Sequence, residues 1–375
     1  MFAFEVSGDT NLPMSTVYYI EASADEAEEV LGAKVTTLFK KAGLAAIFNP
    51  KDLTALKLHV GEPGTKTYVK PPVAAALVAC LKKTGAVPFL TDTAVLYRSP
   101  RDTGVGHARV AHDHGFTLEA VGAPFIPADG ILGADDVTVP IYGKHFEEVA
   151  VAAAVAQARS MLVLSHATGH LGTGFGGALK NIGMGCSSRK AKLSQHHGQA
   201  PRINTAACTA CGACEAHCPT EAVTVTEKAH IDPDKCIGCG ECIAMCRDAA
   251  VSFDWGVMGR ELEERIVEHA FGTVKALAGR IAYITAAMEI TKDCDCLGFD
   301  QPPLLPDIGF FASTDPTAID KAVHDLIIER AGKSLEAMSY PKLDGTVQIQ
   351  YAEKFGLGSA TYELVRVDFN LPGRG

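Results

Sequence analysis

The chain has 375 residues, and its 47% apolar content is enough to fill the cores of about two domains. Its formal net charge of −10 excludes a general binder of nucleic acid or of anionic membranes, because such proteins carry a basic face or arm. No apolar run approaches the ~20 residues that span a bilayer, and the start MFAFEVSGDTNLP lacks the features of a secretory signal, so we expect a cytoplasmic protein. Met14 is an alternative start of translation.

Residues 1–197 alternate segments that favour strands with segments that favour helices. The predicted strands are Thr16–Ala22, Ala55–Val60, Ala86–Leu90, Val137–Ile141 and Met161–Leu164. The predicted helices are one that runs from a capping box at Ser23–Glu26 to Ala42, then Pro72–Thr84 and the alanine-rich Phe146–Arg159. Near-continuous apolar strands separated by helices predict an α/β fold, a mostly parallel sheet covered by helices on both faces.

This alternation stops at residues 198–205 and resumes after Trp255. The later predicted elements are the helices Glu261–Leu277 and Thr317–Ala331 and the strands Ile281–Ala286 and Ile308–Ala312. Asp315 and Pro316 have the residue types of a helix N-cap and first turn. We therefore predict one α/β domain, formed by residues 1–197 and 256–375, that is interrupted by an inserted domain at residues 198–255. The tail after Tyr340 stays unassigned.

Eight of the twelve cysteines lie within 39 residues, in two copies of C-x2-C-x2-C-x3-C. Without an export signal, this pattern indicates metal ligation rather than disulfides, and it resembles a bacterial ferredoxin with two [4Fe–4S] clusters and an α+β fold. Three thiolates of one motif bind one cluster, and the fourth crosses to the other cluster. The predicted ligand sets are Cys208, Cys211, Cys214 and Cys246 for the first cluster, and Cys236, Cys239, Cys242 and Cys218 for the second. Structural zinc is the alternative.

A glycine-rich loop follows the strand Met161–Leu164, and its Gly172-x-Gly174-x-x-Gly177 matches the dinucleotide-binding pattern. The acidic residue expected some 20 positions later is missing, which argues against a dinucleotide. The stretch from Val149 to Cys214 contains no Asp or Glu but has six basic residues. One interpretation is a site for a carboxylate or phosphate, in which glycines admit the anion to backbone amides. Others are that the bases balance the charge of nearby clusters, or that they form a solvated face. The candidate cofactor-binding glycines are Gly172, Gly174, Gly176 and Gly177.

Polar residues follow several predicted strands at their carboxyl ends, where ligands bind in open α/β sheets. We expect them to converge on one edge of the sheet and to form an active site there. These residues are His59 and Glu62, Asp92, His166 and His170, Glu289, Lys292, Cys294 and Cys296, and Ser313 and Asp315.

Four cysteines lie outside the two motifs. Cys80 belongs to an apolar helix, and we expect it in the core. Cys294 and Cys296 are alternate residues of one loop, so both can reach one metal; with Cys186 they form a candidate third metal site or a redox pair. The alternative is two reduced thiols in a loop.

Several strings together resemble the uncharacterised iron–sulfur family DUF362. They are KLHVGEPGTKTYVKP at residues 57–71, TDTAVLY at 91–97, GFGGALKNIGMGCSSRKAKLSQH at 174–196, KDCDCLG at 292–298 and PDIGFFASTDPTAID at 306–320. The resemblance implies a cluster-binding α/β protein and supplies no known reaction.

The glycine-rich loop is also similar, more faintly, to that of the nickel-pincer lactate racemases. This resemblance implies a general acid–base role for His170, attachment of the pincer cofactor to Lys180 and nickel ligation by His196. The second catalytic histidine of that family has no sure match, and His107 is the nearest candidate. The inserted cysteine-rich domain is a further departure from that family.

The leading hypothesis is a redox enzyme, in which two [4Fe–4S] clusters relay electrons between a soluble partner protein and a substrate or cofactor near residues 169–186. His166 or His170 would donate a proton and Lys180 would bind an anionic group. A pure electron-transfer or accessory subunit is the second hypothesis, and a racemase-like isomerase with a further metal or organic cofactor is the third. The sequence specifies neither the substrate nor the oligomeric state.

Overall fold

The computed structural model describes residues 14–196, 200–253, 256 and 258–370, and its largest element is an eight-stranded sheet. The strands are β1 (Ser15–Glu21), β2 (Leu53–Lys57), β3 (Val87–Asp92), β4 (Phe125–Pro127), β5 (Asp136–Pro140), β6 (Glu148–Ala152), β7 (Ser160–His166), β8 (Thr168–His170), β9 (Gly174–Gly176), β10 (Arg202–Ile203), β11 (Val223–Val225), β12 (Ala229–Ile231), β13 (Val251–Ser252), β14 (Ile281–Ala287), β15 (Gly309–Ser313) and β16 (Tyr362–Arg366). The large sheet has the strand order β16-β1-β15-β14-β7-β2-β3-β4.

Helices cover both faces of this sheet. They are α1 (Glu28–Lys41), α2 (Pro71–Lys83), α3 (Gly104–Asp113), α4 (Leu118–Val121), α5 (Ala153–Gln157), α6 (Ala178–Gly183), α7 (Arg189–His196), α8 (Ala213–Ala216), α9 (Glu241–Met245), α10 (Arg260–Ala276), α11 (Pro316–Ala331), α12 (Leu335–Ser339) and α13 (Val347–Lys354). None of the described helices is long and apolar enough to cross a membrane.

Most pairings in the large sheet are parallel, as the sequence predicts. Five are parallel, and the two antiparallel pairings both involve β15. Alternate residues of β7 enter separate cores: Met161 and Val163 pack into one apolar cluster, while Leu162 and Leu164 pack into the other. Because both faces of β7 are buried, the strand is an uninterrupted apolar run rather than an alternating one.

The alanine-rich helix predicted at Phe146–Arg159 is wrong for most of its length. Residues Glu148–Ala152 form β6, which pairs antiparallel with β5, and only Ala153–Gln157 is helical. Val149 and Val151 are 3% and 1% exposed, so burial on a sheet outweighs the helix propensity of the alanines between them. The predicted strand Val137–Ile141 is confirmed as β5, but it belongs to this separate two-stranded sheet.

The capping box predicted at Ser23–Glu26 is also wrong. Helix α1 begins at Glu28, and its N-cap Ala27 has no side-chain hydrogen bond. The Ser23 hydroxyl and the Ala24 amide instead donate to Asp307 Oδ2, at 3.0 and 2.7 Å. A distant carboxylate has therefore taken the hydrogen-bonding groups that the local pattern assigned to the helix start.

The cysteine-rich unit, residues 200–253, lies in the chain between the large-sheet strands β7 and β14 and has two small sheets of its own. Antiparallel pairing of β10 with β13 brings its entrance and exit together, and β11 pairs with β12 inside it. The short helices α8 and α9 each follow a glycine in the left-handed region. The boundaries predicted at residues 197 and 255 lie outside the described residues. The unassigned tail after Tyr340 supplies α13 and β16, and β16 pairs in parallel with β1.

Candidate functional site

A cavity of about 560 Å³ lies beyond the carboxyl ends of β2, β3 and β7. Its lining is rich in side chains that carry or accept a positive charge. The basic groups are Lys57, Arg101, Lys180 and Lys192, the histidines are His59, His166, His170 and His196, and the carboxylates are Asp92 and Asp295. The apolar residues of the lining are Val95, Leu96, Leu171, Met184, Met258, Leu262 and Leu297.

The predicted convergence on one edge holds for most residues that follow the parallel strands and fails for those that follow β15. Strands β2, β3, β7 and β14 run in the same direction, and the residues at or beyond their carboxyl ends that line the cavity are His59, Asp92, His166, His170, Cys294 and Cys296. Glu289 and Lys292 also follow β14 but do not line the cavity. Strand β15 runs antiparallel to β14 and pairs Ser313 with Tyr283, which places Ser313 and Asp315 at the opposite edge. Asp315 instead caps α11, where it accepts from the Thr317 and Ala318 amides at 2.8 and 3.0 Å. The cap role predicted for Asp315 is thereby confirmed.

Two buried ion pairs form part of the cavity wall. Lys57 Nζ lies 2.9 Å from Asp92 Oδ1, and Arg101 Nη2 lies 2.7 Å from Glu62 Oε2. Burial opposes the charge on Asp92, but Lys57, His107 and His59 together outweigh burial and hold the pKa of this carboxyl well below its usual value. The charges of Lys57 and Arg101 are therefore neutralised within the protein.

Lys180 and Lys192 differ from Lys57 and Arg101 in their hydrogen-bonding partners. Lys192 Nζ donates to Ser187 O at 2.7 Å and to the Thr93 hydroxyl, both neutral groups. In the described part of the chain, no carboxylate lies within ion-pair distance of Lys180 or Lys192. Burial lowers the pKa of each ammonium to about 8, so both are charged at neutral pH. The cavity thus presents two ammonium groups without a direct ion pair among the described residues, although Asp92, Asp129 and Asp295 act on them at longer range.

The two predicted proton donors occupy different environments. His166 Nδ1 donates to Asp295 Oδ2 at 2.8 Å and Nε2 donates to Met288 O at 2.7 Å, because carbonyl and carboxylate oxygens can only accept. Burial opposes its charge, but Asp295 outweighs burial and raises the pKa of His166. His166 is therefore an imidazolium whose two protons are both engaged, and its first role is to hold the loop that carries Asp295.

His170 is neutral. Its Nδ1 accepts from the Gly172 amide at 3.2 Å, which leaves the proton of the neutral ring on Nε2. Burial, together with Lys180 and His196, lowers the pKa of His170 well below its usual value. A neutral imidazole held in one tautomer can offer its Nε2 proton to a ligand in the cavity. His196 lines the same cavity, and burial lowers its pKa to about 3.

The glycine-rich loop does not form a phosphate cradle. It makes the hairpin β8–β9, and Gly172, Gly176 and Gly177 line the cavity while Gly174 packs against Glu336. At the start of α6, the Ala178 and Leu179 amides donate to the two oxygens of Asp320, at 2.6 and 2.9 Å. The amides that the sequence offered to an anion are thus used by a carboxylate of the same chain.

Of the three cysteines of the candidate third metal site, the structure brings only two to the cavity. Cys294 and Cys296 line it and are joined by a disulfide. Cys186 is fully buried in the core, and burial raises the pKa of its thiol to about 12, which disfavours the thiolate that a metal requires. Cys80 is buried in α2, as predicted.

One cysteine of the second motif lies beside three cysteines of the first motif. Cys208, Cys211, Cys214 and Cys246 line one small cavity, so a cysteine of the second motif completes the first set. In the second set, Cys239 is close enough to Cys218 and Cys236 to feel their charges. Backbone amides donate to three of the sulfurs, from Ala229 to Cys208, Ala222 to Cys218 and Ala250 to Cys246.

In the part of the chain that the structure describes, no three His, Cys, Asp or Glu side chains converge closely enough to share one metal ion. A single zinc ion holds four sulfurs at about 2.3 Å from one centre. A cubane instead distributes its thiolates over four irons, so its ligands stand farther apart. The choice between clusters and zinc therefore stays a prediction from the cysteine motifs.

The cysteine-rich unit packs directly on the cavity wall. Leu96 and Leu193 belong to the same apolar cluster as Cys208, Cys214, Cys242 and Cys246. Leu96 lines the cavity, and Leu193 follows Lys192 in α7, which also lines it. Leu96 therefore contributes both to the apolar cluster around the cysteines and to the lining of the cavity.

Several cavity residues escape the sequence analysis. Lys57 and Arg101 are buried ion-pair partners. Lys192 is one of six bases in the stretch without acidic residues, and Asp295 stands between Cys294 and Cys296. A charged residue that ends an apolar strand, as Lys57 ends β2, is the one local signal for such a site. His107, the nearest candidate for a second catalytic histidine, does not line the cavity; it lies behind Asp92, with its Nε2 3.5 Å from Asp92 Oδ2.

Comparisons with known proteins give a family and a distant likeness to solved structures. The family model described as "Domain of unknown function (DUF362)" matches residues 54–325. No curated protein matches the chain. Among solved structures, the chain is similar to the lactate racemase apoprotein from Thermoanaerobacterium thermosaccharolyticum, with 11% identity and a TM-score of 0.37, over 76% of this chain and 53% of that one. The chain therefore spans about half the length of that protein.

Proposed function

Since this chain belongs to the DUF362 family, for which no function is described, we propose from the site itself that it is an iron–sulfur redox enzyme. Two [4Fe–4S] clusters held by the eight motif cysteines would supply electrons one at a time to an anionic substrate or cofactor in the cavity. A soluble electron-transfer protein would be the partner that exchanges electrons with the clusters.

The cysteine-rich unit supports the first half of this proposal. Cys208, Cys211, Cys214 and Cys246 around one small cavity match one predicted ligand set. Amide donors to the sulfurs of three motif cysteines stabilise thiolates, and such donors also tune the potential of a bound cluster.

The cavity supports the second half. Lys180 and Lys192 offer two charges without a carboxylate partner among the described residues, so a bound anion would satisfy them. The apolar residues of the lining suit a ligand with a hydrocarbon or aromatic part as well as an acidic group. Neutral His170 would orient the ligand through its Nε2 proton and could transfer that proton to a developing anion.

One observation carries the proposal: the cysteines and the cavity share a wall. Leu96 packs among the motif cysteines and also lines the cavity. An electron carrier without a substrate would need no charged cavity beside its cofactors.

The test uses sulfate as the anionic probe and isothermal titration on the anaerobically purified holoprotein. We expect Lys180→Met and Lys192→Met each to weaken sulfate binding by roughly tenfold to a hundredfold, the value of one charge-assisted contact. Lys190→Met is the matched control, because Lys190 lies on the same helix as Lys192 but pairs with Asp136 outside the cavity. Unchanged binding in both cavity variants, or a protein without iron, would refute the proposal.

A racemase-like isomerase is the second candidate function. It is favoured by the joint placement of His170, Lys180 and His196 around one cavity. The position of His107 behind Asp92 speaks against it, since this histidine cannot reach a ligand there. Intact mass spectrometry decides the matter: a covalent adduct on Lys180 would support this candidate, and an unmodified chain that contains only iron would exclude it.

A further inference from the structure

We propose that Cys294 and Cys296 are a two-electron disulfide–dithiol couple that faces the cavity and takes its electrons from the cysteine-rich unit. This inference rests on the proposed function, because that function places clusters on the unit. It adds a specific acceptor, which lies within this chain and is distinct from any bound substrate.

The position of the pair is the first argument. Cys294 and Cys296 are disulfide-bonded and line the cavity, where a ligand or a reduced partner can reach the sulfurs. A disulfide between alternate residues closes a very short loop and so contributes little to stability.

The loop that carries the pair is held in place independently of the disulfide. The Glu62 amide donates to Asp295 O at 2.9 Å, and the Thr67 hydroxyl donates to Asp295 Oδ1 at 3.2 Å. His166 binds the other Asp295 oxygen, as described above. Reduction would therefore separate the two sulfurs without releasing the loop, and the two thiols would stay close enough to re-form the bond.

Two consecutive residues connect this loop to the cysteine-rich unit. The Tyr97 hydroxyl donates to Cys296 O at 2.8 Å. Its neighbour Arg98 donates from Nη2 to Cys246 O and, at 2.9 Å, to Arg247 O. Cys246 is a predicted ligand of the first cluster, so a single dipeptide contacts both the disulfide loop and a cluster-ligand segment. This bridge supplies a continuous path of covalent and hydrogen bonds between the two sites.

The reaction balances with the electrons that two clusters can supply. The disulfide takes up two electrons and two protons, the sulfur–sulfur bond breaks, and two thiols form. Two reduced clusters, held by the motif cysteines, would supply one electron each, and solvent would supply the two protons.

The experiment counts free thiols in the tryptic peptide 293–321, in which Cys294 and Cys296 are the sole cysteines. The holoprotein is alkylated with iodoacetamide under denaturing conditions, before and after anaerobic reduction with dithionite, while the visible absorbance follows the clusters. We expect a change from zero labels to two labels per peptide. Cys294→Ser should give one label in both states, and the matched control Cys80→Ser, a buried core cysteine, should keep the change from zero to two.

The outcomes separate this inference from the proposed function. Cluster bleaching without a gain of label would refute the couple and leave the proposed function standing. Two labels on the untreated protein would refute it as well. A chain without iron would refute both the proposed function and this source of electrons. Arg98→Ala should slow the gain of label while the clusters still bleach, and an unchanged rate would refute the route through the bridge.

Discussion

Lys57 and Asp92 form a buried ion pair at the cavity wall, with Nζ 2.9 Å from Oδ1 and side chains that are 1% and 4% exposed. Removing one partner leaves an uncompensated charge in a dry environment. We expect Asp92→Asn to lower the free energy of unfolding by about 3–5 kcal/mol. Urea unfolding followed by circular dichroism measures the change.

The control for this prediction is a pair of the same type on the surface. Lys66 and Asp300 are 3.0 Å apart, but their side chains are 75% and 54% exposed. Asp300→Asn should cost less than about 1 kcal/mol, because water already solvates both charges. Equal losses in the two variants would contradict the assignment of Lys57 and Asp92 as a buried pair.

Binding of anions in the cavity should depend on pH in the alkaline range. Burial lowers the pKa of Lys180 and of Lys192 to about 8, so both are charged below this pH and lose their charge above it. Sulfate keeps its charge throughout, and its affinity should fall by up to about tenfold per lysine between about pH 8 and about pH 9. Lys180→Arg retains its charge and should flatten part of the profile. Titration calorimetry at several pH values measures this, and a flat wild-type profile would contradict it.

Asp320 should make the fold less stable as the pH rises from mildly acidic to neutral. Burial raises its pKa from 3.8 to about 7, although the Ala178 and Leu179 amides oppose the shift. Since the folded pKa lies above the unfolded one, folding takes up a proton, and this stabilisation is lost as the pH rises through about 7. Relative to Asp320→Asn, the wild type should lose ~2 kcal/mol between about pH 5.5 and about pH 7. Parallel stability curves for the two proteins would rule this out.

Gly177 should resist even the smallest substitution. A Cβ at this position would lie 2.3 Å from Asp320 Oδ1 and would push the carboxylate off the start of α6. Gly177→Ala should therefore cost about 1–3 kcal/mol, measured by thermal unfolding. Gly32→Ala is the control. Gly32 lies in α1, and its new Cβ would contact Ala76 of α2 at an ordinary 3.5 Å, so we expect the free energy of unfolding to rise by up to about 1 kcal/mol.

Metal analysis tests the crossover of the cysteine sets. The anaerobically purified wild type should contain eight irons and eight sulfides, the content of two cubanes. Cys218→Ser should remove the cluster of the second motif, although Cys218 belongs to the first, and should lower the iron content to about half. Cys80→Ser should leave the iron content unchanged, because Cys80 lies in the core. Loss of the first cluster alone in Cys218→Ser would contradict the crossover.

The sequence predicts buried strands from their apolar runs, and it predicts which edge their following residues reach only where the strands are parallel. β2, β3, β7 and β14 are apolar runs followed by polar residues, and their convergence was predictable because all four are parallel. An apolar run carries no information about its direction in a sheet. Ser313 and Asp315 therefore resembled site residues until the antiparallel pairing of β15 placed them at the opposite edge.

The candidate site was predictable in part, for a related reason. Lys180 and His170 stand out within a glycine-rich segment without acidic residues. Lys57 and Arg101 do not, because their buried partners Asp92 and Glu62 lie on other segments of the chain. No local sequence pattern indicates that such a charge is paired. Likewise, Asp320 lies far along the chain from the α6 amides that it binds, so the glycine loop alone suggested an external anion.

The strands of the large sheet are not translated in the order in which they pair. β1 pairs with β15 and β16, and both are synthesised after the cysteine-rich segment. That segment contains its own pairings between Arg202 and Ser252, so it can fold locally on the ribosome while β1 still lacks a partner. Under the proposed function, cluster insertion there need not await closure of the sheet. We therefore expect iron supplied during translation to raise the yield of folded protein.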